Sequence, residues 1–187
     1  MAVREPARRK LTYDDYVLIP EDGQRHEILD GEHTVSPAPT LWHQLVLSAL
    51  HRLLSPFIHE KRLGWVVAAP VDVLFSEHDV AQPDLVFISK ERAGIMAGAN
   101  VQGTPDLVVE ILSPSTRRRD EGLKRDLYER SGVREYWLID PERQEVRVFR
   151  RGGSGFKPAA ELSASSGDVL STPLLPGLEI RVREIFE

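Results

Sequence analysis

Two carboxylates, Asp84 and Glu110, sit where the chain is otherwise most apolar. Gln82-Pro83-Asp84-Leu85-Val86-Phe87-Ile88 reads as a buried strand with an acid at its mouth, and Pro105-Asp106-Leu107-Val108-Val109-Glu110-Ile111-Leu112 as a second one. A carboxylate in such surroundings is costly unless something pairs with it. The spacing leaves room for two adjacent strands joined by one long loop, and pairing of those strands would bring both carboxylates to one point. Two hard oxygen ligands, completed by water and a backbone carbonyl, suit Mg²⁺, with Mn²⁺ as a substitute. The carbonyl of Ile111, next to Glu110, is the candidate. A metal in that position polarises a phosphate oxygen and lowers the pKa of a bound water, which phosphodiester hydrolysis requires. A nearby lysine would position or deprotonate that water and offset charge on the phosphate.

The elements that must position these groups follow from patterning. Thr12 and Asp15 begin a short helix that Pro20 ends. Asp30-Gly31 between alternating segments signals a hairpin, with Glu27 and Leu29 on one face of its first strand. After the loop Ser36-Pro37-Ala38-Pro39, Thr40 caps the longest helical pattern, with Leu45, Ala49, Leu50, Leu53, Leu54, Phe57 and Ile58 on one face and Pro56 tightening its last turn. His43, in the first turn, reads as half-exposed and gains interest only if the helix start points at the carboxylates. Gly64–Ala69 and Val71–Phe75 read as strand segments interrupted at Pro70, or as one bent strand. Gly94 to Gly103 reads as a loop, a surface connection or a substrate flap.

Beyond Glu110, Thr116 or Asp120 caps a helix through about Arg130, with Leu123, Leu127 and Tyr128 on one side and Ser131-Gly132 at its end. Glu135–Asp140 is a third buried strand, Glu145–Arg150 an edge hairpin strand, Phe156 onward a short strand, and Pro173–Ile180 a tail across the core edge. This order predicts an α/β (α+β) fold, a sheet with helices on its faces. With no internal repeat and no linker, the 187 residues read as a single domain, 1–187.

Composition narrows the partners. The chain has no Cys, which excludes disulfides and thiolate metal sites and fits a reducing compartment. The basic N-terminal segment Met1–Lys10 leads into no apolar stretch, and no run approaches a membrane span, so a cytoplasmic protein without membrane contact is expected. A net charge of −5 argues against holding nucleic acid by bulk electrostatics. A local patch or a metal must do it.

Gln82-Pro83-Asp84 followed by Glu110-Ile111-Leu112 resembles the PD-(D/E)XK nuclease pattern. More narrowly, the chain is similar to the Uma-two-type restriction endonuclease family. The resemblance rests on Glu27–Glu32, Ser36-Pro37-Ala38-Pro39, His43-Gln44, Pro70-Val71-Asp72-Val73, Gln82–Leu85, Pro105–Thr116, Lys124, Tyr128, Gly132-Val133, Glu135–Pro141 and Pro173–Gly177, in order along nearly the whole chain. It implies a restriction-endonuclease-like core, a central mixed β-sheet flanked by α-helices, with Asp84 and Glu110 as metal carboxylates. Where the pattern places its lysine, two residues after Glu110, this chain has Leu112. The resemblance implies that Lys124, on the following helix, supplies that lysine and that Glu27 is an additional acid of the site. It further implies DNA as substrate and, by analogy with restriction enzymes, a homodimer.

Each residue also has a plainer reading. Asp84 and Asp106 each follow a proline and so suit a turn at a strand start, the reading preferred for Asp106 but not for Asp84. Glu110, Asp84 and Lys124 would also satisfy one another as an ion-pair cluster without catalysis. Arg117, Arg118 and Arg119 suit a solvated loop, or a phosphate-contacting patch beside the site. Trp137 reads as core. The expected function is therefore a metal-dependent DNA endonuclease using Asp84, Glu110, Lys124 and Glu27. The alternative is a non-catalytic domain of the same fold that binds nucleic acid or a protein partner; a third is a structural or toxin-like module awaiting a partner.

Overall fold

The computed structural model describes residues 9–187, so the basic stretch Met1–Lys10 lies almost wholly outside the described residues. Helix α1 (Tyr13–Tyr16) precedes the hairpin β1 (Arg25–Leu29) and β2 (Glu32–Ser36), and the long α2 (Leu41–Glu60) follows. Six strands come next: β3 (Gly64–Ala68), β4 (Val73–Ser76), β5 (Asp79–Ala81), β6 (Leu85–Ser89), β7 (Met96–Ala97) and β8 (Asn100–Gln102). After β9 (Leu107–Ile111) comes a helical stretch made of α3 (Arg117–Arg119), a π-helical turn (Asp120–Lys124) and α4 (Arg125–Ser131). The chain closes with β10 (Glu135–Asp140), β11 (Glu145–Gly152), β12 (Gly155–Ser163) and the short β13 (Val169–Leu170) and β14 (Ile180–Arg181).

The central sheet is mixed, in the order β12-β11-β10-β9-β6-β3. Strand β9 runs antiparallel to β6, with Leu85 opposite Val109, and parallel to β10, with Leu138 opposite Glu110. The two strands expected to pair therefore do. Side-chain alternation then sorts the residues of β9. Leu107, Val109 and Ile111 pack with Val46, Leu50 and Leu54 of α2 and with Leu175, Ile180 and Ile185 of the tail. Val108 and Leu112 pack on the opposite face with Leu127 and Tyr128 of α4 and with Leu29, Val73 and Val101 of a second sheet. Glu110 lies between Val108 and Leu112 in this alternation and is aimed at the helix that carries Lys124. None of the described helices is long and apolar enough to cross a membrane.

Local chemistry explains the terminations. Thr12 and Asp15 cap α1 reciprocally. Thr40 accepts the His43 amide at 3.2 Å and starts α2, which runs on through Pro56 to Glu60. Asp30 and Gly31 both adopt positive φ, 53° and 78°, as a two-residue hairpin turn of this hand demands. Gly132, at φ 90°, ends α4 in the left-handed conformation.

Several expectations need correction. The two segments flanking Pro70 are not one bent strand: β3 edges the central sheet, whereas β4 belongs to the second sheet, ordered β2-β1-β5-β4-β8-β7. Residues 94–103 are not merely loop, because β7 and β8 form a hairpin that completes the second sheet. Strand β11 is not an edge, since the nine-residue β12 covers it. Leu123 is 58% exposed rather than packed with Leu127 and Tyr128. The buried face of its helix begins instead with Asp120 and Lys124, so polar residues hold the positions that periodicity assigns to apolar ones.

Candidate active site

Asp84 enters the central sheet at the start of β6 and is 2% exposed. Its Oδ1 accepts from the Arg25 guanidinium at 2.9 Å. Its Oδ2 accepts the Ile111 amide at 2.8 Å and lies 3.1 Å from His43 Nε2. Burial works to raise this carboxyl, but the His43 hydrogen bond, the Arg25 charge and the Ile111 amide outweigh it and hold it at about 2. Arg25 also donates to the Gln82 carbonyl, which ties the start of β1 to the approach of β6.

Glu110, equally buried, accepts on Oε1 from Lys124 Nζ at 3.0 Å and from the Tyr128 hydroxyl at 2.5 Å. Burial pushes its carboxyl up to about 8; Lys124 opposes this, and the charges of Asp84, Asp120 and Glu27 reinforce it. Lys124 bridges two strands of different sheets, with Nζ 2.8 Å from Glu27 Oε1 and 4.0 Å from Asp120 Oδ1 as well. Burial disfavours its ammonium, yet Glu110, Glu27 and Asp120 together raise its pKa and keep it charged. A lysine so held donates hydrogen bonds; it does not take a proton from water.

Glu27 is fully buried in β1. It accepts the Gln82 amide at 2.8 Å and lies 3.3 Å from Arg119 Nη1, which also donates to Ser36 Oγ at 2.9 Å. Asp120, one helical turn before Lys124, is buried, and its Oδ1 has no hydrogen-bond partner among the described residues. Burial, with Asp84 and Glu27, raises it to about 6, against the pull of Lys124. The cluster thus gathers four acidic side chains, Glu27, Asp84, Glu110 and Asp120, around three cations, Arg25, Arg119 and Lys124, with burial holding the proton on Glu110 up to about pH 8.

That set of acids bears on a metal. Among the described residues no group of three or more His, Asp or Glu side chains gathers into a metal-holding set. The donors that are present are hard oxygens, all of them buried and one of them, on Asp120, orphaned. They fit a cation that keeps much of its water shell and needs few carboxylates. Arg25 competes with such a cation for Asp84 Oδ1.

Sequence reading brings Asp84, Glu110, Lys124, Glu27 and the Ile111 backbone together here. The three arginines separate. Arg119 is bound to Glu27, Arg117 is 2.7 Å from Asp140 and 3.4 Å from Glu142, and only Arg118 is exposed without an ion-pair partner among the described residues. Asp106 stands at the other end of β9, accepting the Ser89 amide at 2.8 Å and pairing with Arg92 and Arg134. Its structural reading holds, as does that of the fully buried Trp137. His43 is not half-exposed: it is 6% exposed and aimed at Asp84. Arg25, Asp120 and Tyr128 are members that sequence reasoning passed over. Asp120 and Tyr128 lie one turn either side of Lys124, a spacing that was available as a signal.

The mixed sheet flanked by helices has a restriction-endonuclease-like architecture, and its paired strands β6 and β9 carry the buried acids beside which Lys124 docks. The fold matches a crystal structure from Anabaena variabilis, described as a "putative nuclease belonging to DUF820", with a TM-score of 0.79 at 20% identity over 94% of this chain and 97% of that one. Residues 13–183 match the Uma2 family, described as "Putative restriction endonuclease", and the chain belongs to that family. Among curated proteins it has no match.

Proposed function

We propose that this protein is a metal-dependent endonuclease that hydrolyses DNA phosphodiester bonds. The observation that carries the reading is the seat of Lys124. A lysine from a helix reaches Glu110 at 3.0 Å, beside Asp84, although the strand position after Ile111 holds Leu112. Packing alone gives no reason to bury these acids and a lysine together. Asp84 and Glu110, with the Ile111 backbone, would hold Mg²⁺ or Mn²⁺. Bound there, the metal supplies Lewis acidity toward a phosphate oxygen and a more acidic water.

The chain's own groups do the rest. Lys124, kept as an ammonium, donates toward phosphate or water and offsets developing negative charge. Glu27 anchors Lys124 and Arg119 and so fixes where that charge sits. Tyr128 orients Glu110 through Oε1 and leaves Oε2 for another partner. The exposed Arg118 suits a phosphate contact. A homodimer would let two such centres address both strands of a duplex.

A second reading has an observation of its own. Arg25 and Lys124 already occupy oxygens of Asp84 and Glu110, as a closed ion-pair cluster in a non-catalytic binding domain would have them. Plasmid and single-stranded DNA cleavage with Mg²⁺ or Mn²⁺ separates the two. Wild-type protein is expected to nick, and Asp84→Ala and Lys124→Ala to lose at least about a hundredfold, the usual weight of a charge-stabilising group. Absence of metal-dependent cleavage by the wild type would leave the binding domain.

A further inference from the structure

At the end of the sheet away from Glu110, three guanidiniums line one cavity of about 250 Å³. Arg134, Arg150 and Arg151 form it together with Glu135, Pro173 and Leu174. Strand register fixes its place. Glu135 stands opposite Leu107 on β9, whereas Leu138 stands opposite Glu110, three residues or about 10 Å further along the sheet. Glu135 also shares the strand face of Trp137, which packs on α2 and the tail, while Glu110 faces the helix of Lys124. The cavity is no part of the carboxylate centre.

Each guanidinium is held along one edge by the protein and keeps N–H groups without partners among the described residues. Arg150 Nε and Nη2 donate to Glu135 Oε1 at 3.2 and 2.8 Å, which leaves Nη1. Arg134 Nη1 donates to Asp106 Oδ1 at 3.1 Å, which leaves Nε and Nη2. Arg151 Nε donates to the Val133 carbonyl at 3.0 Å and Nη2 to that of Glu129, which leaves Nη1. These side chains meet solvent: those of Arg134 and Arg150 are 54% and 39% exposed, and Arg151 is exposed as well. Glu135, by contrast, is fully buried, with its second oxygen taken by the Thr172 hydroxyl. The accessible charge of the lining is therefore positive, in a chain whose net charge is −5. Lys157, opposite Arg150 on β12, adds a further cation, and the Glu129 carboxylate sits against Gly155, outside the lining.

Three anchored forks, each with N–H left over, match an anion with three free oxygens. A carboxylate has two, and a phosphodiester has two non-bridging oxygens and one charge. A phosphomonoester has three and close to two charges at neutral pH. We propose that this pocket binds a phosphomonoester group through Arg134, Arg150 and Arg151, as free phosphate or as the terminal phosphate of a nucleic-acid strand. The site is independent of the carboxylate centre and of the nuclease reading.

The test is calorimetry on the full chain in chelator, which involves neither metal nor cleavage. The probes are inorganic phosphate, a 5′-phosphorylated single-stranded oligonucleotide and its 5′-hydroxyl counterpart. Phosphate and the phosphorylated strand are expected to bind one to one, and the 5′-hydroxyl strand at least about tenfold more weakly, the weight of a hydrogen bond to a charged group. Arg134→Gln removes one fork while Arg92 still pairs with Asp106, and should weaken both ligands by about the same factor. Arg151→Gln serves if Arg134→Gln does not fold. A gain for the phosphorylated strand over its counterpart assigns the site to strand ends; phosphate binding without that gain assigns it to the free ion. Neither phosphate binding nor that gain, or affinities unchanged in both variants, overturns the site and leaves the nuclease reading untouched.

Discussion

At the scale of residues, the two central carboxylates face opposite pulls. Asp84 has three partners and ionises easily, while Glu110 has one charged partner and three acidic neighbours. The pH dependence follows from this. An exposed Glu110 ionises near 4.5 and the folded one at about 8, so the unfolded chain gives up its proton first as pH rises. Stability from this residue is full below pH 4.5 and drains away as pH climbs toward about 8. In chelator-treated protein the melting temperature should fall across that window more steeply in wild type than in Glu110→Gln. Superimposable pH profiles for the two would refute it. Asp84 and Glu110 were legible because polar residues inside apolar runs violate a pattern, whereas Lys124, in a charged segment, was reached only through the family resemblance. Arg25 was not, because a polar residue at the start of a hairpin strand violates nothing. His43 was misjudged because helical periodicity fixes a face but not what that face meets.

Among the elements, α2 matters at its first turn as much as along its apolar face. Thr40 holds the amide of His43, and His43 reaches Asp84, so one cap both starts the helix and sets a partner of the centre. Thr40→Ala should cost about 1 kcal/mol of stability, the usual loss for such a cap, read as a lowered denaturation midpoint. A midpoint equal to wild type would show that the tertiary packing of α2 sets its start unaided. The strands β6, β9 and β10 were legible as continuous apolar runs. The second sheet was not: its outer strands β7 and β8 have two and three residues, too few for alternation to register, and tertiary pairing alone makes them strands. Leu123 was misplaced for a related reason, since Asp120 and Lys124 claim the inward face to serve the charge cluster.

For the molecule as a whole, a net charge of −5 and a buried acidic centre oppose a polyanion. DNA should therefore bind poorly in chelator and at least about tenfold better with Ca²⁺, with little of the steep salt dependence of basic binders. Oligonucleotide titration by fluorescence anisotropy reads this, and equal affinity with and without a divalent ion would remove the metal from recognition. The layered order of the fold was legible from the alternation of strand and helix patterns. The pairing of α1 and Tyr16 with Asp72 across the second sheet was not, because it joins residues far apart in sequence.

Lys124 reaches Glu110 only because the helix at 117–131 lies down on the sheet; no local backbone geometry makes the pair. The centre is therefore a product of assembly. During synthesis the strand bearing Glu110 leaves the ribosome before its lysine, and the constellation does not exist until the helix has docked. A partly made chain therefore carries Glu110 without the lysine that pairs with it.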